Sequence, residues 1–175
     1  MKKLKNKDLQ RITLEEFKKA KKTPITIILD NVRSALNVGS IFRTSDAFLI
    51  EKIILCGITT SPPNKDIRKS ALGATDSVNW EFEKNTIDAI SKLKENGYQI
   101  IGIEQANKST NLNEFNITKK PIAIVLGNEV NGVDENVINV CDDVIEIPQF
   151  GTKHSLNISI TAGIVIWQLW NKLNI

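Results

Sequence analysis

Short apolar runs, most of them rich in β-branched residues, recur along this chain, and stretches of helical periodicity or irregular loop separate them. The runs are Ile25–Leu29, Lys52–Cys56, Gln99–Ile103, Ile122–Leu126 and Val144–Ile147. Each is too short for a helix and is bounded by turn-forming or charged residues, so each reads as a strand. Helical periodicity runs through Ile41, Phe42, Ala47 and Phe48, through Thr86–Asn96 with Gly97 as its C-terminal stop, and through the apolar stretch Leu156–Leu173. Shorter helical pieces are expected at Ile67–Leu72 and Asp134–Val140. Strands that alternate with helices fold as a parallel sheet covered on both faces. The chain is therefore expected to be an α/β domain with a mainly parallel sheet flanked by helices. Val78-Asn-Trp80-Glu-Phe82 alternates in polarity and predicts a further strand with one buried face. Residues 57–66, with Gly57, Ser61, Pro62 and Pro63, and the Asn-rich residues 105–118 read as loops.

Size and composition narrow the function classes. A chain of 175 residues, 41% apolar and 25% charged, is expected to form one domain with its own core. No apolar run approaches the roughly 18 residues that a membrane span needs, and no apolar signal core follows the Lys-rich N-terminus. A cytoplasmic location without a membrane partner is the expectation. Cys56 and Cys141 are the only cysteines and His154 is the only histidine. A structural zinc site usually takes about four N or S ligands, so no metal site is expected. The two thiols read as buried and free, with a single disulfide as the alternative.

Charge is unevenly spread. Residues 1–22 hold eight lysines and Arg11 against Asp8, Glu15 and Glu16, an excess of six positive charges. The remaining residues carry fourteen basic and seventeen acidic groups. A basic arm or helix over residues 1–22 on a slightly acidic body, residues 23–175, suits a phosphate-bearing partner; a solvated, frayed helix is the equal alternative. Leu4, Leu9, Ile12, Leu14 and Phe17 form an imperfect helical stripe, and Thr13 with Glu16 is a capping-box pattern that starts a helix there.

Three segments follow strands and carry unusual polar content. They are Asn31-Val-Arg33-Ser-Ala-Leu-Asn37-Val-Gly39-Ser-Ile-Phe-Arg43-Thr, Val125-Leu126-Gly127-Asn128-Glu129-Val-Asn131-Gly132-Val, and Ile147-Pro148-Gln149-Phe-Gly151-Thr-Lys-His154-Ser155-Leu156-Asn157-Ile-Ser159. Ligands of open α/β sheets bind beyond the carboxyl ends of the strands, so the three are expected to converge at one rim. Taken singly, each is more often an ordinary turn than a site. Neither G-x-G-x-x-G nor G-x-x-x-x-G-K-[ST] occurs, which argues against a standard dinucleotide fold and a P-loop.

In this order the three segments resemble the motifs of the SPOUT class of methyltransferases, and more narrowly the TrmH-type RNA ribose 2′-O-methyltransferases. The resemblance covers roughly residues 25–172. It implies a deep C-terminal trefoil knot, S-adenosylmethionine as methyl donor and a homodimer. Residue by residue, Arg43 resembles the family's catalytic Arg and Asn37 its structural and substrate-side Asn. Glu129 matches the functionally important acid, and Ser155 and Asn157 match the polar pair near the reacting centre. Leu126, Gly127 and Asn128 resemble the cofactor loop. Ile147, Pro148 and Leu156 resemble residues around the adenine and ribose. Gln149 departs from the pattern, where Met is common. Ser70-Ala-Leu-Gly73-Ala74 resembles a substrate-side segment.

The activity so implied is methylation of a ribose 2′-hydroxyl in RNA, with tRNA slightly favoured over rRNA. A guanidinium stays protonated in proteins, so Arg43 is expected to bind the adjacent phosphate and stabilise charge on the 2′-oxygen. Its alternative is a surface ion pair with Asp46. Arg33, Arg68 and Lys69 are candidate phosphate contacts, or simply solvated. His154 reads as a solvated loop residue, and Trp167 and Trp170 as core or dimer interface. Competing readings are a non-catalytic RNA-binding protein on the same fold, a small-molecule enzyme and a base methyltransferase. With no separate RNA-binding domain before residue 25, the basic N-terminal segment is expected to supply part of the RNA affinity.

Overall fold

A computed structural model describes residues 1–5, 8–118 and 121–173; Lys7 of the basic N-terminal segment lies outside them. Among the described residues, seven strands form one parallel sheet: β1 (Thr23–Asp30), β2 (Ile50–Cys56), β3 (Asn79–Glu83), β4 (Gln99–Ile103), β5 (Thr110–Asn111), β6 (Ile122–Leu126) and β7 (Asp143–Glu146). Their order across the sheet is β3-β2-β1-β6-β4-β7-β5, and every pairing is parallel. The register aligns Leu29, Leu126, Ile103 and Ile145 in one row across β1, β6, β4 and β7. The segments that leave these four strands therefore start at one level on one rim.

Side chains alternate between two cores, as the period of a strand requires. Ile27, Leu29, Ile53, Leu55, Ile124 and Leu126 face one side, against helices α2 (Ala35–Ala47), α3 (Lys65–Ala71) and α7 (Ile158–Leu173). Ile28, Ile54, Ile100, Ala123 and Val125 face the other, against α5 (Thr86–Glu95) and α6 (Glu135–Asn139). Burial on both faces is why these strands read as continuous apolar runs. Each fully buried Ile or Leu contributes about 1.5–3 kcal/mol.

At the N-terminus, α1 (Leu14–Lys19) begins where the capping box sets it: Thr13 Oγ1 accepts from Glu16 N at 3.2 Å, and the Glu16 carboxylate accepts from Thr13 N at 2.7 Å. Phe17 alone of its side chains is buried, and it joins the larger core. A short α4 (Ala74–Ser77) follows α3. Cys56 and Cys141 are free thiols; Cys56 is buried and Cys141 half-buried. Desolvation pushes both thiols up to about 12, so neither is a nucleophile at neutral pH. Trp167 and Trp170 stack with ring centroids 5.5 Å apart, and each meets Phe48 at 5.8 Å. No helix among the described residues is long and apolar enough to cross a membrane.

Strand β3 differs from expectation. It is one of the two edge strands, and Trp80 and Phe82 are 36% and 51% exposed instead of forming a buried face. Alternation in sequence marks a strand, but a neighbouring layer is needed to bury one side of it.

Gly39 lets α2 and α3 touch. A Cβ there would stand 2.1 Å from Ser70 Oγ and 2.4 Å from the Ile67 carbonyl oxygen. In an open helix Gly→Ala would stabilise by roughly 0.5–1 kcal/mol. Here the clash with backbone reverses the sign, and Gly39→Ala is expected to destabilise by about 1–3 kcal/mol. Urea denaturation of the two proteins measures this; a stabilised variant would contradict the packing.

Candidate active site

The rim above β1, β6, β4 and β7 is closed by hydrogen bonds between segments distant in sequence. Asn31 leaves β1 with a φ of 56°, a left-handed conformation that Asn tolerates. Its carbonyl accepts from Asn128 Nδ2 at 2.8 Å, and its Oδ1 accepts from Ile58 N at 3.1 Å. Asp30, 2% exposed, accepts from Asn31 Nδ2 at 2.9 Å, from Asp134 N at 3.2 Å and from Thr86 Oγ1. This buried carboxylate ties the starts of α5 and α6 to the end of β1.

After β6 the chain makes a tight hairpin. Asn128 and Gly132 exchange two backbone hydrogen bonds of 2.9 Å, and Asn128 Oδ1 accepts from Val130 N and Asn131 N at 2.8 and 3.1 Å. Gly132 has a φ of 70°. Glu104, directly after β4, accepts from Val133 N at 3.0 Å and from Gln105 N at 2.9 Å, and so holds the hairpin base. Gln105 Nε2 donates to the His154 carbonyl at 2.7 Å, which fastens the segment after β7. At the start of α7, Asn157 Oδ1 accepts from Ser159 N at 2.9 Å as a helix cap.

One hydrogen-bonded chain joins the three sequence segments. The Glu129 carboxylate accepts from Arg33 N at 3.0 Å, Ser34 N at 2.9 Å and Asn37 Nδ2 at 3.1 Å. Asn37 Oδ1 in turn accepts from Asn157 Nδ2 at 3.2 Å. Partial desolvation would raise the Glu129 carboxyl, but the backbone donors of Arg33 and Ser34 and the Asn37 amide outweigh it and hold it below the ordinary carboxylate range. With its oxygens filled by donors and its affinity for protons reduced, Glu129 is suited to fixing the loops, not to accepting a proton near neutral pH.

That depressed value sets a direction in pH. The stabilisation from Glu129 is complete above the unfolded carboxylate value, about 4.3, and is lost as pH falls through the lower folded value. The stability difference between wild type and Glu129→Gln is expected to be about 1 kcal/mol at neutral pH, after allowance for solvent screening. It should shrink toward zero in acid. Urea denaturation from pH 3 to pH 8 measures it; a difference that grew in acid would contradict the assignment.

These loops enclose a cavity of about 600 Å³. Apolar Leu126, Ile147, Leu156 and Ile158 line it together with Gly127, Asn128, Glu129, Ser155 and Asn157. The size and mixed lining suit a nucleoside-sized ligand. Gly127 is part of the cradle, because a Cβ there would stand 2.2 Å from the Gly132 backbone. His154 lines the cavity rim, is exposed, and engages through its carbonyl. The structure does not bring Pro148 to the cavity; it lines a neighbouring groove with Phe150, Ile164 and Trp167. Arg43 also lies outside it, exposed on α2. The alternative ion pair of Arg43 with Asp46 is not formed; Asp46 accepts from Ser77 Oγ instead. Arg33, Arg68 and Lys69 are exposed. Asp30, Glu104 and Gln105 escape a reading of the sequence. A polar residue directly after a predicted strand is the signal that would have found Asp30, after Ile25–Leu29, and Glu104, after Gln99–Ile103.

Comparison with known proteins gives consistent matches. The model of the SpoU rRNA Methylase family matches residues 24–167. The chain is 32% identical over 173 residues to a Borreliella burgdorferi protein named an uncharacterized tRNA/rRNA methyltransferase, covering 99% of this chain and 74% of that one. It is 33% identical over 153 residues to a putative TrmH family tRNA/rRNA methyltransferase of Staphylococcus saprophyticus, covering 87% and 61%. Against the 23S rRNA (guanosine-2'-O-)-methyltransferase RlmB of Neisseria meningitidis it is 33% identical over 143 residues, covering 82% and 56%. The last two relatives are thus much longer than the matched region. Among solved structures, the A. aeolicus TrmH/SpoU tRNA modifying enzyme aligns with a TM-score of 0.80 at 27% identity, over 92% of this chain and 80% of that one. The AdoMet-bound rRNA methyltransferase from Sinorhizobium meliloti aligns with a TM-score of 0.81 at 28% identity, over 90% and 60%.

Proposed function

This chain belongs to the SpoU rRNA Methylase family, and from that premise we propose that it transfers a methyl group from S-adenosylmethionine to a ribose 2′-hydroxyl of RNA, with tRNA slightly favoured over rRNA. The observation that carries the reading is the hydrogen-bonded chain from Arg33 and Ser34 through Glu129 and Asn37 to Asn157, set against the cavity. It joins the methyl-donor side of the site to the side open to a polynucleotide.

The cavity fits the cofactor in size and chemistry. Leu126, Gly127, Asn128, Ile147 and Leu156 would hold it, and Pro148 would act from the adjacent groove by fixing the chain beside Ile147. When bound, S-adenosylmethionine supplies an electrophilic methyl group. The protein's own residues then have to orient the acceptor and stabilise its charge. Ser155 and Asn157, exposed at the rim, orient the ribose. Asn37 is held by Glu129 and buttresses Asn157. Arg43 lies six residues beyond Asn37, about 9 Å along the helix axis, so the two grip different parts of one nucleotide chain. Arg43 binds the neighbouring phosphate and stabilises negative charge developing on the 2′-oxygen, and that phosphate or a water takes the proton. Arg33, Arg68 and Lys69 meet flanking phosphates, and the basic residues of 1–22 add salt-dependent affinity.

A homodimer belongs to the same reading. Ile160, Ile164 and Trp167 follow one face of α7 at helical spacing and are 55%, 38% and 51% exposed. Such an apolar stripe supports a second copy packing there. Family membership also implies the C-terminal knot. Bonds from Lys172 Nζ to the Asn113 and Phe115 carbonyls, and from Gln105 to His154, hold the last helix and its approach against the 105–118 loop. We place the protein in the cytoplasm, in tRNA or rRNA processing.

The test is incubation of purified protein with labelled S-adenosylmethionine and unmodified total tRNA or rRNA in separate reactions, followed by nucleoside analysis. A labelled 2′-O-methylnucleoside is the expected product. A labelled base would overturn ribose as acceptor. Neither cofactor binding nor transfer would favour the silent RNA-binding reading.

A further inference from the structure

Leu72 stands out on backbone and exposure together. It ends α3 with φ 49° and ψ 43°, a left-handed conformation that is an outlier for a bulky side chain. It is 66% exposed, so no buried contact offsets the unfavourable backbone. Leu49, the other leucine with positive φ, packs against the core. Gly73 follows with a φ of 91°, and a Cβ added there would meet nothing within 4 Å, so the turn faces open space. Ending a helix calls for Gly or Asn at such a position. This chain instead presents an isobutyl group to solvent, and strain kept without a packing return points to function.

Its neighbours are fixed by two pins. Gly39 of α2 is pressed against Ser70, and Asp46 of α2 accepts a hydrogen bond from Ser77 Oγ. Residues 70–77 therefore run alongside residues 39–46. Arg43 lies between the pins on α2, and Leu72 and Gly73 lie between them on the segment that joins α3 to α4. Arg68 and Lys69, both exposed, precede Leu72 by one turn. The paired segments thus carry one exposed apolar side chain and three exposed cations, Arg43, Arg68 and Lys69. Single-stranded RNA offers the matching chemistry, with phosphates for the cations and the flat face of an unstacked base for the apolar side chain.

We propose that Leu72 packs against the face of a nucleobase next to the phosphate held by Arg43, and so selects the nucleotide context that the enzyme accepts. This rests on the RNA-methyltransferase reading above. Asn keeps the left-handed turn but removes the apolar surface, so Leu72→Asn isolates the contact. Wild type and variant are compared for binding to unmodified total tRNA and rRNA, for S-adenosylmethionine affinity, for Tm and for sedimentation. The expected result is RNA affinity about five- to tenfold weaker, with cofactor affinity and sedimentation unchanged and Tm equal or higher. Unchanged RNA affinity in the variant of an active enzyme overturns the proposal and leaves the methyltransferase reading standing. A loss that comes with a lower Tm or altered sedimentation also overturns it, by making Leu72 a structural or subunit contact. If wild type itself methylates neither RNA pool, the reading beneath falls, and the proposal with it.

Discussion

Gly127→Ala is expected to abolish measurable S-adenosylmethionine binding, a loss of at least about 100-fold, while the protein still folds. The cause is steric. The added methyl would lie 2.2 Å from the Gly132 carbonyl carbon and Val133 nitrogen and 2.4 Å from the Gly132 oxygen. All three are backbone atoms, so no side-chain rotation relieves the contact. The hairpin must open, which breaks the reciprocal Asn128–Gly132 bonds and the Val133–Glu104 bond that define one wall of the cavity. Overpacking of this kind costs about 1–3 kcal/mol. A 175-residue chain would then lose roughly 2–12 °C in Tm, well short of unfolding at room temperature. Titration calorimetry with S-adenosylmethionine checks binding, and circular dichroism checks the fold. Near-normal affinity in a folded variant would mean that the hairpin does not form the cofactor wall.

The strands of the fold were legible where burial on both faces writes an apolar run, as in Ile25–Leu29 and Ile122–Leu126. Less was legible at the edges. β5 is two residues, Thr110–Asn111, that form a strand only because β7 offers a free edge to pair with, and no local pattern marks them. The N-terminal stripe from Leu4 to Phe17 suggested a longer helix than α1, and the Thr13–Glu16 cap placed its start correctly. The three polar segments were legible because each follows a strand. Their union was not, since strand order is a tertiary property. Glu129 lies 92 residues from Asn37, and Asn157 lies 120 from it, yet each is one hydrogen bond away. Glu104 obeyed the same strand-end rule but sits in no resembling motif, so its hold on the hairpin came only from the structure. The placement of Pro148 outside the cavity shows the converse: neighbours in sequence to a site residue need not share the site.

Arg43→Ala is expected to lower kcat by about 10²–10³ while leaving RNA affinity within a few-fold of wild type. Removing one preorganised donor to developing negative charge typically costs that much. Structure argues against a trivial cause. Among the described residues Arg43 forms no ion pair, and Asp46 is already engaged by Ser77, so truncation leaves no buried partner stranded. An exposed substitution of this type changes stability by about 0.5 kcal/mol or less. Arg43→Lys should fall between, because it keeps the charge and loses the planar fork that grips a phosphate through two bonds. Single-turnover methyl transfer, with RNA binding measured separately, divides the possibilities. Loss of transfer with binding intact places the guanidinium at the reacting nucleotide. A uniform loss of RNA affinity with an unchanged transfer step would make Arg43 a phosphate anchor only. Near-normal transfer with normal binding would remove it from the chemistry, and the stabilisation of the 2′-oxygen would then have to come from the Ser155 and Asn157 side of the rim.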